Sequence, residues 1–133
     1  MGIKIDHIGI AVSNLDETLK KYCEVLGLNP QDIEIEVVER QKVRVAMIPV
    51  GESKIELLEP TAEDGPIGKY IAGKGEGIHH FAIGVADVES ELARLDASGF
   101  PLVDKVPRTG VGGSKIGFIH PESTKALLEL VEH

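Results

Sequence analysis

The chain is poor in several residue types. Its 133 residues include one cysteine, no tryptophan, two tyrosines and three phenylalanines. A lone cysteine cannot bridge internally, which removes the disulfide scaffolds of small secreted domains. Cys23 falls among Leu19, Tyr22 and Leu26 at helical spacing and reads as a small core residue. So few aromatics leave no platform for stacking single-stranded bases. Basic charge is scarce too: 14 Lys and Arg face 22 Asp and Glu, for a net charge of −8. A nucleic-acid binder needs a basic face, so no nucleic-acid partner is expected. Asn and Gln occur only at positions 14, 29, 31 and 41, a composition that hints at a thermophilic source. No apolar run approaches the roughly 18 residues of a membrane span, and the opening residues lack the charged-then-apolar pattern of a leader. The expectation is a soluble cytoplasmic protein with no membrane partner.

What the chain does have is a core and a repeat. Apolar residues make up 42%, enough for a packed interior, and the length suits one domain. "IDHIGIAV" (5–12) and "IHHFAIGV" (78–85) are nearly the same strand, each with a histidine in third place. By alternation His7, Gly9 and Ala11 share one face, and His80, Ala82 and Gly84 share one face. Each histidine therefore stands beside small residues that leave room for its ring. An amphipathic segment with a polar cap follows each strand: "SNLDETLKKYCEVLG", capped at Ser13 and Asn14, and "ADVESELARLDASG", capped at Asp87. Three strands should then complete each copy: "IEIEVVE", "VRVAMIPV" and "KIELLE" in the first, "PLVDKVP", "KIGFIHP" and "ALLELVE" in the second. The fold class expected is α+β, two tandem βαβββ modules forming a curled mixed sheet around a metal cleft. A single domain spanning residues 1–133 would hold modules at about 3–60 and 76–133. A Gly- and Pro-rich connection at about 61–75 would carry a short helix at Pro66 to Ala72.

The repeat brings chemistry with it. His80 follows His7 by 73 positions, and Glu129 follows Glu56 by 73. Glu56 is flanked by Ile55 and Leu57, and Glu129 by Leu128 and Leu130, so both carboxylates should be enclosed. A buried carboxylate is costly unless it is paired or bound to a metal. Taken singly, a strand histidine is usually structural and a strand-end glutamate usually solvated. The joint pattern predicts that His7, Glu56, His80 and Glu129 converge on one divalent ion. Two imidazoles and two carboxylates suit Co²⁺, Mn²⁺, Ni²⁺, Fe²⁺ or Zn²⁺, and on a six-coordinate ion they leave two places for substrate. His79 should point away from the cleft, while His120 and His133 have no counterpart by symmetry. "TGVGGSK" (109–115) lacks the spacing of a phosphate-binding loop and reads as a turn, although Arg108 and Lys115 beside it could meet an anion.

"IDHIGIAV", "KIELLEP", "GEGIHHFAIGV", "GGSKIGFIHP" and "LLEL" together resemble, in order and over nearly the whole chain, the vicinal oxygen chelate superfamily. Within it they are most similar to the methylmalonyl-CoA epimerase family. The resemblance implies metal-dependent interconversion of R- and S-methylmalonyl-CoA by 1,1-proton transfer through a metal-stabilised enolate. It implies a divalent ion, cobalt first, on His7, Glu56, His80 and Glu129, with Glu129 also catalytic. An acyl-CoA substrate and a homodimer are implied with it. A glyoxalase I-type lactoylglutathione lyase or another metal enzyme of the same superfamily is the alternative. Two departures stand out: some family members carry glutamine where Glu56 stands, and some carry a second acid–base glutamate where Val45 stands.

Overall fold

The computed structural model of the protein describes residues 3–133; Met1 and Gly2, at the start of the expected domain, lie outside the described residues. The described chain runs β1 (Lys4–Ala11), α1 (Leu15–Leu26), β2 (Glu34–Val38), β3 (Val43–Val50), β4 (Ser53–Pro60), α2 (Pro66–Lys74), β5 (Gly77–Gly84), α3 (Val88–Ala97), β6 (Arg108–Thr109), β7 (Lys115–Ile119), α4 (Pro121–Thr124) and β8 (Leu128–Glu132). The chain forms two compact units, Gly9–His79 and residues 3–8 with His80–His133, so β1 and β5 each run from one into the other.

In the Gly9–His79 unit, β2, β3 and β4 pair antiparallel, and the end of β1 joins at β4 through Val12 N–H donating to Leu58 O. Gly51 (φ +60) makes the tight turn between β3 and β4, a conformation glycine adopts without strain. The amphipathic α1 begins where the Asn14 side chain accepts from Glu17 N–H. It buries Leu15, Leu19 and Cys23 against Ala46, Ile48 and Leu57. Burying each leucine contributes about 1.5–3 kcal/mol. Cys23 is the core residue its spacing suggests. The expected helix after Pro66 forms and runs to Lys74.

In the other unit the order is β1-β5-β8-β7-β6. The β5–β8 pairing is parallel, setting Glu129 opposite Ala82. The β7–β8 pairing is antiparallel, setting Glu129 opposite Phe118. Asp87 caps α3 by accepting from Ser90 N–H, and Val88 and Leu92 bury its inner face beside Ile119 and Leu130.

One expected strand is corrected. "PLVDKVP" makes only an isolated bridge at Leu102 with Ile119, and the strand forms later, at Arg108–Thr109. Two prolines, Pro101 and Pro107, bracket the segment and cannot donate to a ladder. The Asp104 side chain accepts from Phe118 N–H instead, so a side chain takes the hydrogen bond a strand would have made.

Several bonds recur within each unit, with both partners shifted by 73 positions. Leu15 N–H donates to Glu59 as Val88 N–H does to Glu132. Val12 N–H donates to Leu58 O as Val85 N–H does to Val131 O.

Candidate metal centre

His7 on β1, His80 on β5 and Glu129 on β8 lie in one unit and meet there. The sequence sets their faces: each histidine alternates with small residues, Gly9 and Ala11 or Ala82. Fully buried Ala82 stands opposite Glu129 on the neighbouring strand. All three site residues are 5% exposed. The two Nε2 atoms of His7 and His80 are 3.2 Å apart, and Glu129 Oε1 is 3.1 Å from His80 Nε2 and 3.6 Å from His7 Nε2. The imidazoles stand at 90° to one another, and the Phe118 ring closes the far side of His80 edge-on at 5.7 Å.

These spacings test whether an ion fits. Bonds of about 2.1 Å put neighbouring ligand atoms about 3.0 Å apart at octahedral angles and about 3.4 Å at tetrahedral ones. Three donors at 3.1–3.6 Å therefore match one small divalent cation. Burial pushes the Glu129 carboxyl up, but the neighbouring His7 and His80 imidazoles more than offset this and hold it down at about 2. The ionised form, which a metal needs, prevails at neutral pH.

A residue that strand patterning misses stands behind His7. Asp6 is 4% exposed, its Oδ2 is 2.8 Å from His7 Nδ1, and its Oδ1 is 2.8 Å from His133 Nε2. The bond from His7, against the opposing effect of burial and with help from His133, holds Asp6 at about 2. The signal is present as the dipeptide "DH", but alternation assigns neighbours to opposite faces and so hides the contact.

The remaining candidates are placed by their own strands and loops. Glu56 sits in the Gly9–His79 unit on β4, opposite Met47, and is 3% exposed. Val45 is fully buried on β3, flanked across the strands by Glu36 and Leu58. His79 is half-buried and packs edge-on against Tyr70 at 4.7 Å. His120 caps α4, its Nδ1 accepting from Glu122 N–H. "TGVGGSK" is a tight turn tied by Gly110 N–H to Ser114 O and by Ser114 Oγ to Val111 O. Arg108 beside it is engaged by Asp104 and lies over the Phe118 ring, 5.0 Å from its centre.

Residues 6–118 match the Glyoxalase/Bleomycin resistance protein/Dioxygenase superfamily. The chain belongs to that superfamily. It is 40% identical over 130 residues to the uncharacterized protein YqjC of Bacillus subtilis, covering 97% of this chain and 91% of that one. It is 30% identical over 134 residues to the ethylmalonyl-CoA/methylmalonyl-CoA epimerase of Cereibacter sphaeroides, covering 97% and 96%. Among solved structures it is similar to a single-residue variant of the Streptomyces coelicolor methylmalonyl-CoA epimerase in complex with 2-nitronate-propionyl-CoA. There the TM-score is 0.89 and identity 42%, covering 97% of this chain and 93% of that one. The fold is the α+β fold of the glyoxalase superfamily, and the His7, His80 and Glu129 cluster is its candidate metal centre.

Proposed function

We propose that this protein is a metal-dependent methylmalonyl-CoA epimerase. The observation that carries the reading is the convergence of His7 Nε2, His80 Nε2 and Glu129 Oε1 within 3.1–3.6 Å, in a chain whose named relatives include epimerases. The proposed ligand set is His7, Glu56, His80 and Glu129. Glu56 enters as a buried carboxylate related to Glu129 by the same 73 positions that relate the two histidines. When bound, a divalent ion (Co²⁺ first, then Mn²⁺, Ni²⁺ or Zn²⁺) supplies Lewis acidity that polarises the thioester carbonyl and acidifies C2.

The protein's own groups do the rest. Glu129, ionised at neutral pH, takes the C2 proton on one face or holds it for return. His7 and His80, 3.6 and 3.1 Å from its Oε1, hold the carboxylate within the cluster. Val45 has no proton to give, so the opposite face is served by a different group. The same reading carries an acyl-CoA substrate, a homodimer and a cytoplasmic location. Among the described residues no helix is long and apolar enough to cross a membrane.

The test is deuterium incorporation at C2 of methylmalonyl-CoA in D₂O. Incorporation should be fast with cobalt-loaded protein, fall to the buffer rate with chelator, and return on adding cobalt. Buffer-rate exchange from a fully loaded protein would reject the epimerase. Preferential turnover of a hemithioacetal would establish the lyase instead.

A further inference from the structure

Both oxygens of Asp6 are committed to imidazoles. Oδ2 is 2.8 Å from His7 Nδ1, and Oδ1 is 2.8 Å from His133 Nε2. A neutral imidazole carries one N–H and one lone pair. A carboxylate facing Nδ1 draws the proton there and leaves the lone pair on Nε2. That is the nitrogen His7 turns toward His80 and Glu129. Asp6 thus opposes the tautomer that would point a proton into the cluster.

The second copy of the strand has no carboxylate at the equivalent position. Shifted by 73 positions, the counterpart of Asp6 is His79, which packs against Tyr70. The two copies are therefore chemically unequal beside their site histidines.

We propose that Asp6 is a positioning residue that holds His7 in its metal-binding tautomer, with His133 holding Asp6 in turn. This rests on the metal reading above for its purpose, but not for its geometry. Asp6 raises the ligand strength of His7, and outer partners of this kind are worth about 10- to 100-fold in metal affinity. His133, with a side chain 56% exposed, ties the buried carboxylate to the surface of its unit.

The experiment has two readouts on purified full-length protein. First, long-range ¹H–¹⁵N spectra of the metal-free protein should show His7 as the Nδ1–H tautomer. Asp6→Ala should mix the tautomers, and Asp6→Asn, which keeps an oxygen acceptor, should largely preserve Nδ1–H. Second, Co²⁺ affinity measured against a chromophoric chelator should fall by about 10- to 100-fold in Asp6→Ala. The loss should be smaller in Asp6→Asn and smaller still in His133→Ala, which leaves Asp6 in place. Metal-free melting temperatures separate these effects from loss of fold; if Asp6→Ala does not fold, the Asn and His133 variants decide. An unchanged tautomer with unchanged affinity in a folded Asp6→Ala protein would overturn the proposal. So would full Co²⁺ affinity in both Asp6→Asn and His133→Ala. If the wild type binds no Co²⁺, the metal reading fails, while the tautomer comparison still judges Asp6.

Discussion

Replacing Glu129 by glutamine keeps an oxygen that can bind a metal and removes the group that can accept a proton. If Glu129 only ligates, Glu129→Gln should bind cobalt more weakly and recover its rate at saturating metal. Because its carboxylate is ionised and enclosed by two imidazoles, we expect more: a saturated variant that stays slow by about 10²-fold or more. Following exchange from each stereoisomer separately should show one face affected more than the other. Near-normal turnover on both stereoisomers at saturating cobalt would remove Glu129 from proton transfer. The site residues differ in how far the sequence betrays them. His7, His80 and Glu129 are visible because a repeat marks equivalent positions, and a polar residue recurring in an apolar strand needs a reason. Asp6 is not, because its contact with His7 runs around the strand rather than across one face. His133 is not, because it has no equivalent in the first copy and its partner lies 127 positions away.

At the scale of elements, packing decides what patterning leaves open. A Cβ at Gly117 on β7 would lie 2.6 Å from Leu92 Cδ1 and 3.0 Å from Cδ2, and Leu92 on α3 is fully buried and cannot swing into solvent. Gly117→Ala should therefore cost about 1–3 kcal/mol, read as a lower urea midpoint with an unchanged slope. Adding Leu92→Val should give part of it back, because the two sites share one contact. An unchanged midpoint in the single variant would mean that α3 shifts freely on β7. Glycine in a strand looks like a weakness in sequence; here helix α3 needs the space. The helices and most strands are legible from period, caps and turns, and β3 begins and ends where "VRVAMIPV" does. The segment 101–107 misleads because its alternating apolar residues resemble a strand while its prolines deny it a ladder. Exposed Val103 and Val106 show that its alternation does not mark a buried face.

For the molecule as a whole, the recurring 73-residue shift extends beyond the site. It relates the helix caps Asn14 and Asp87, and the bonds from Leu15 to Glu59 and from Val88 to Glu132. We propose that the chain is a duplicated module, with copies at about 3–60 and 76–133. Acid should act on the carboxyls that folding depresses. Asp6 and Glu129, whose carboxyls are held at about 2, both lie in the unit containing residues 3–8 and His80–His133. Their ordinary values are 3.8 and 4.5, so folding depresses both. A depressed carboxyl contributes stability that is fully present above its unfolded value and is lost as pH falls through its folded value. Stability of the metal-free protein should therefore lose this contribution progressively from about pH 4.5 down to about 2. Amide exchange should report the loss first in strands β5 and β8, where His80 and Glu129 sit. In Glu129→Gln the ionisable group is gone, so the acid slope should be shallower even where the variant is less stable at neutral pH. An identical slope in wild type and variant would show that protons are taken up elsewhere, and that the imidazole cage does not hold Glu129 ionised.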